Sequence, residues 1–189
     1  MFNQDKMTTL IWKSILYTSI EHLQLWEEGN TTLAKSKILG SFEDKIYSVE
    51  YGLEINKDWK VSSFDIEFDV NNNKKRINGV RKNNEWEING KIEQQFTGID
   101  FIDIPVTPFT NTLPIRNLRL HNGQEKDIKV IYIDILEDSI KPLKQKYRKN
   151  SDANYRYENI PNDFEADIEV DESGLVTFYP SLFERVNRI

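Results

Sequence analysis

The chain has 189 residues, no cysteine and a formal net charge of −6. That length can bury a core without cross-links, and the missing thiols exclude a disulfide framework, a thiolate metal site and cysteine catalysis together. The acidic balance excludes a general nucleic-acid binder, which needs a net basic face to neutralise phosphates.

Met7 to Ile20 is apolar apart from Lys13, but no basic leader or small-residue cleavage site accompanies it, so it does not read as a secretory signal. No run is long enough for a transmembrane segment, and we expect a soluble, cytoplasmic protein. His22 falls on an expected strand and His121 beside the Asn122-Gly123 turn. Neither has the spacing of a metal motif, and no phosphate-loop or dinucleotide fingerprint occurs, so neither metal nor cofactor is expected. Further along the dominant period is two. Tyr47, Val49, Tyr51, Leu53 and Ile55 alternate with polar residues or glycine, and Phe64, Ile66, Phe68 and Val70 do the same, which marks strands with one buried and one wet face. Asn71-Asn72-Asn73 and Asn89-Gly90 are hairpin signals. The first should set Asp65, Glu67 and Asp69 against Lys74, Lys75 and Arg76.

Thr107 to Arg116 reads T-P-F-T-N-T-L-P-I-R. Pro108 and Pro114 fix their own φ and push the preceding residues towards extended geometry. The run is therefore expected to be a stiff loop, either plugging one end of a sheet or presenting Asn111 and Arg116 to a ligand. Just before it, Asp103 sits between Ile102 and Ile104. A carboxylate buried there needs a partner, and Arg116 is the natural candidate. No segment shows a helical stripe.

Ile131, Ile133 and Ile135, with Val130 and Tyr132 between, suggest a strand covered on both faces. Residues 148 to 163 read as the most loop-like region, and Phe164, Ala166, Ile168 and Val170 alternate with acidic residues in a further strand. Tyr147, Tyr155, Tyr157, Phe178, Tyr179 and Phe183 crowd the last third, while Trp12, Trp26, Trp59 and Trp86 are spread through the first half. Such side chains join an apolar body to a polar tip, which suits a wet-edged core or a cavity for an amphiphile. No repeat, linker or compositional break divides the chain, and a single domain spanning 1–189 is expected.

The segment from Thr107 to Arg116 resembles the signature of the putative glycolipid-binding protein family, a mostly bacterial group. The likeness continues through Gln145-Lys146-Tyr147, Tyr155-Arg156-Tyr157-Glu158, Phe164-Glu165-Ala166, Val170-Asp171-Glu172-Ser173-Gly174-Leu175-Val176 and Tyr179-Pro180-Ser181-Leu182-Phe183. Upstream it is thinner, resting on Trp12, Glu21-His22, Gly40, Tyr51, Trp59 and Trp86. Phe178, Ser181, Leu23 and Ile99 depart from the family's pattern, which more often has an acidic residue, glycine and two cysteines at these places. The resemblance implies an open spiral β-roll, similar in shape to the periplasmic lipoprotein carriers LolA and LolB. It carries over no catalytic residue.

The expected fold is therefore mainly β, a single curled antiparallel sheet (a spiral β-roll or open barrel) with little helix. The leading function is a non-enzymatic carrier or sensor of a glycolipid or other amphiphile, held in an aromatic and aliphatic cavity. Its candidate ligand-binding residues are Trp86, Asp103, Asn111, Arg116, Tyr147, Tyr155 and Tyr157. The alternatives are an enzyme acting on a small polar or sugar-like substrate in the same cavity, or a structural, partner-binding module. The oligomeric state is left open.

Overall fold

Alternation with period two runs through most of the computed structural model, which describes residues 7–161 and 163–189, and generates fifteen strands. β1 (Thr8–Ser14), β2 (Ser19–Glu28), β3 (Thr31–Phe42), β4 (Lys45–Asn56), β5 (Val61–Val70), β6 (Asn73–Lys82), β7 (Glu85–Ile88) and β8 (Lys91–Ile92) form one antiparallel meander. β10 (Glu125–Asp134), β11 (Ser139–Ser151), β12 (Asn154–Ile160), β13 (Glu165–Val170), β14 (Val176–Tyr179) and β15 (Phe183–Arg188) form a second. β1 pairs with β15, setting Leu10 opposite Arg188, and this seam makes the two meanders one sheet. β9 (Phe101–Asp103) adds to the far side of β10 as the one parallel pair. The edges β8 and β9 do not pair with each other, so the sheet stays open.

The hairpin expectations hold in detail. Val70 pairs with Asn73 across Asn71 and Asn72, whose φ values of 51° and 66° a primed two-residue turn requires. Asn89-Gly90 closes the next hairpin, with Ile88 opposite Lys91. Asp69 faces Lys74 and Glu67 faces Arg76, which also pairs with Asp65. These pairs are exposed and each contributes only a few tenths of a kcal/mol. Residues 148–163 differ from the loop expected there, because β11 runs to Ser151 and β12 begins at Asn154. Here the inward positions are tyrosines and the outward ones are charged, which dilutes the apolar signal.

The larger difference lies at Thr107 to Arg116. It is not an extended loop: Phe109–Leu118 form α1, the single α-helix among the described residues. Pro108 stands immediately before the first turn, where a missing N–H costs nothing. Pro114 lies inside the helix, where it removes one helical hydrogen bond and its ring crowds the Thr110 carbonyl, a cost that the burial around it must outweigh. No stripe announces α1 because every residue from Phe109 to Ile115 is buried. A helix covered all round lacks an amphipathic pattern. The Thr107 hydroxyl accepts the N–H of Phe109 at 3.1 Å and satisfies one of the free donors of the first turn.

α1 and the segment before it cover the inner face of the first meander. Tyr51, Leu53 and Ile66 on the strands pack in one core with Phe96, Ile99, Ile104, Val106, Phe109 and Leu113. Here Phe64 lies directly across from Gly79, beside Trp86. A Cβ on Gly79 would fall inside the Phe64 ring and close to Ile88. Gly79→Ala is therefore expected to destabilise by about 1–3 kcal/mol through overpacking, read as a lower urea midpoint. A change under ~0.5 kcal/mol would mean that Phe64 can move aside.

Candidate functional site

A buried carboxyl sets the position of α1. Glu21 occupies an inward position of β2, between Ser19 and Leu23, where alternation would otherwise place an apolar side chain. Its Oε1 accepts three hydroxyls: Ser36 at 2.7 Å, Tyr51 at 2.7 Å and Thr107 at 2.9 Å. Oε2 has no partner among the described residues. Burial pushes the Glu21 carboxyl up to about 7, against the lowering effect of the hydroxyls. Glu21 thus ties β3, β4 and the entry to α1 to one point.

The inner face of the second meander packs a core of its own around Tyr147, Ile168 and Val176, but at the N-terminal end of α1, beyond Thr107, part of it is not filled. A cavity of about 480 Å³ opens there, within the range of small-molecule sites. Its floor holds Asp103 from β9 and Asn111 from α1. Asp103 accepts Thr110 Oγ1 at 3.0 Å and Gln145 Nε2 at 2.6 Å. Burial raises its carboxyl above the ordinary aspartate range, with the charge of Asp134 adding to the effect. Asn111 Oδ1 accepts the Tyr147 hydroxyl at 2.8 Å, which fixes the amide that faces the cavity.

One wall is a chain of aromatic rings. Tyr157 meets Tyr179 at 6.3 Å, Tyr179 meets Phe183 at 6.2 Å, and Phe183 meets Tyr17 at 6.0 Å. Tyr132 from β10 faces the same space, and burial raises the phenols of Tyr17, Tyr132 and Tyr157 above their ordinary value. The hydroxyls of Tyr17, Tyr157 and Tyr179 bond to no group among the described residues and are not sealed from the cavity. Lys141, Asn159 and Asp163 bring polar ends to the opening. Leu16 is 46% exposed and Phe164 is 37% exposed, so these two apolar side chains lie at the mouth.

Of the seven candidate residues, the structure brings Asp103, Asn111 and Tyr157 together on this cavity. Tyr147 stands behind Asn111, fully buried. Trp86 is in the other half of the sheet, 0% exposed, donating to the Ile99 carbonyl at 2.8 Å. Tyr155 and Arg116 lie on a different cleft, at the C-terminal end of α1. The expected Asp103–Arg116 ion pair does not form. Asp103 is served by Thr110 and Gln145, whereas Arg116 stacks on Trp59 and donates to the Ser173 carbonyl. Helical geometry gives the reason, since Arg116 is six residues beyond Thr110, about 9 Å along the axis and turned away from it.

Sequence reasoning passed over Glu21, Tyr17 and Tyr132. Glu21 had a signal in the parity of β2, where Ser19, Glu21 and Leu23 share the inward face, but exposed Ile20 on the outward face obscures it. Tyr17 sits in the β1–β2 turn and carries no periodic signal. No group of three His, Asp or Glu side chains among the described residues is placed to hold a metal ion.

The sequence model of the family described as putative glycolipid-binding matches residues 9–185. A crystal structure of a DUF1089 family protein from Pseudomonas aeruginosa is similar at a TM-score of 0.80 and 30% identity, over 89% of this chain and 92% of that one. A β-barrel-like protein of a domain of unknown function, DUF1849, from Brucella abortus matches at a TM-score of 0.51 and 8% identity, over 97% of each chain, and shares the fold alone. Among curated proteins, none matches. No helix among the described residues is long and apolar enough to cross a membrane.

The Glu21 carboxyl makes stability depend on pH. Its folded value of about 7 lies above the ordinary 4.5, so the folded chain keeps a proton that the unfolded chain releases between those values. Its contribution is complete below the unfolded value and is lost as pH rises to the folded one, by on the order of 3 kcal/mol. Glu21→Gln should remove this slope. The melting temperature of the variant should gain on the wild type by several degrees between about pH 5 and about pH 8. A difference that does not change with pH would show that Glu21 is not the titrating group.

Proposed function

The chain belongs to the putative glycolipid-binding family, and we propose that its cavity takes the polyhydroxylated head group of an amphiphile, as a carrier or sensor without catalysis. The observation that carries this reading is the combination of tyrosine hydroxyls that lack partners among the described residues with a carboxyl and an amide on one floor. Hydroxyl-rich ligands need donors and acceptors converging from several directions, and aromatic faces suit the apolar faces of a sugar ring. Leu16, Ile160, Phe164 and Leu182 surround the same opening and offer an apolar path for a tail pointing outwards. The volume suits a head group and not a whole lipid. On the first meander α1 and the segment before it pack on the inner face, and the groove of about 1080 Å³ found there is lined largely by outward residues such as Lys35, Lys37, Glu50 and Glu67. The absence of cysteine accommodates a reducing cytoplasm, where we place the protein.

A second reading, an enzyme acting on a small sugar-like substrate, is favoured by one feature: the raised carboxyl of Asp103 on the cavity floor. Turnover of nitrophenyl glycosides by the wild type and not by Asp103→Asn would establish it.

The carrier reading is tested by calorimetry with n-octyl β-glucoside below its micelle concentration, against n-octanol as the bare tail. The glucoside should bind and octanol should bind at least ~10-fold more weakly, since a site built to pair hydroxyls loses when they are missing. Asp103→Asn should weaken the glucoside by about tenfold and leave octanol unchanged. Equal binding of both probes, or of neither, would sink the head-group reading.

A further inference from the structure

The signature segment ends on Arg116, which the cavity does not use. Arg116 and Arg119 stand at the C-terminal end of α1, between two clefts. The larger, about 930 Å³, runs between Ile115 on α1 and the loop Asp171 to Gly174, with Lys149, Arg185 and Arg188 around it.

The Arg116 side chain is held along its whole length. Its guanidinium lies 4.0 Å from the centre of the Trp59 ring, a cation–π contact. Its stem passes over Gly174, where an added Cβ would meet Arg116 Cγ at 3.0 Å. Nη1 donates to the Ser173 carbonyl at 2.9 Å. The turn that carries Trp59 is itself fixed: Asn56 Oδ1 accepts the N–H groups of Asp58 and Lys60, and Asn117 of α1 donates to the Asp58 carbonyl at 2.6 Å. Trp59 adopts φ 61° and Arg119 φ 47°, left-handed conformations that bulky residues seldom take.

Yet this positioned group has no acid opposite it. Arg116 and Arg119 form no ion pair among the described residues, and the Nε and Nη2 edge of Arg116 has no acceptor there. Asp171, a carboxylate of the cleft, is already bridged by Arg185 at 2.6 Å and Arg188 at 2.5 Å. Asp152 is paired with Lys149 at 2.9 Å. Glu27 and Glu172 are the remaining acids on the two clefts. Partial burial draws the Arg116 guanidinium below its ordinary value, and the charges of Glu27 and Asp171 oppose this through space.

We infer that this cleft binds a phosphate-type oxyanion through the free guanidinium edges of Arg116 and Arg119. A planar fork presenting two parallel N–H donors is the arrangement that matches a phosphate, and stacking on Trp59 holds that plane while leaving its edge open. The C-terminal end of α1 is itself weakly negative, so the helix stabilises two cations there. The phosphate belongs either to a soluble ligand or to a lipid head group. This cleft is separate from the cavity: Asn111 and Arg119 are eight residues apart, about 12 Å along α1.

The test titrates the 15N-labelled protein with inorganic phosphate at constant ionic strength set by chloride, following the Arg116 Nε–H and Trp59 indole N–H signals. A parallel arm measures co-sedimentation with phosphatidylcholine vesicles that contain or lack phosphatidylglycerol. Saturable phosphate shifts should appear, and binding should weaken at least ~10-fold in Arg116→Lys, which keeps the charge and loses the fork. Exposed Arg119→Gln, which leaves the core untouched, should weaken it as well. Binding of phosphate with these dependences supports the inference with a soluble ligand. Binding only to phosphatidylglycerol vesicles, lost in both variants, supports it with a lipid head group. Shifts that chloride reproduces, binding that both variants retain, or no binding in either arm would overturn it. None of these outcomes touches the cavity, which is probed by an uncharged glucoside.

Discussion

A sheet of fifteen strands that never closes has a long apolar inner face, and water must be kept off it by something other than the sheet. In this chain one ten-residue helix and the segment before it supply that cover. The position of the cover is fixed by a polar contact. Apolar packing is non-directional, whereas Glu21 Oε1 specifies where the Thr107 hydroxyl, and with it the first turn of α1, must lie. Burying a carboxyl costs several kcal/mol unless its charge is paired or removed. Three hydroxyl donors and retention of the proton offset that cost, and of the two carboxyl oxygens only Oε2 is without a partner among the described residues.

The cover is finite, and that produces the site. Ten residues of helix span about 15 Å; Phe109 and Leu113 pack into the core of the first meander and Ile115 into that of the second, and the part of the second beside Asp103 stays uncovered. Where α1 begins, its Asn111 and Thr110 meet Asp103 and the tyrosine wall, and space remains. Where it ends, Arg116 reaches Trp59 and Ser173, and Arg119 lines the same clefts. The same segment is therefore a packing element in its middle and a provider of polar groups at both ends. The alternatives weighed from the sequence, plug or ligand-presenting element, do not exclude one another.

Strands such as β4 and β5 were legible because each has a wet face, and alternation reports such a face directly; the end of β11 and β12, with tyrosines inward, were not. Phe64 to Val70, the Asn71-Asn72 turn and the charged partners across it fall where the pattern places them. α1 was not legible, because seven consecutive buried residues from Phe109 to Ile115 give no contrast between faces. Its two prolines also point to extended backbone when read without their position in the helix. For the cavity, Asp103, Asn111 and Tyr157 stood out as polar groups on apolar segments. Trp86 stood out for the same reason and proved to be core, since an indole N–H satisfied by the Ile99 carbonyl looks no different in sequence from one that awaits a ligand. Glu21 could be read only with the parity of β2 already known.

The seam between β1 and β15 has a consequence in time. Leu10 finds its partner in Arg188, 178 positions later. Every other antiparallel neighbour of the sheet follows directly in the chain, so each meander can zip up locally as its hairpins form. The join between them cannot, since closing so long a loop is slow compared with forming a turn. During synthesis the first meander can therefore be in place while the outer edge of β1 waits, with its backbone groups unpaired. That edge is the point at which another copy of the chain, offering its own β15, could join in place of the intended one. The order in which the strands become available, more than the strength of any contact, then decides whether the sheet is completed within one molecule.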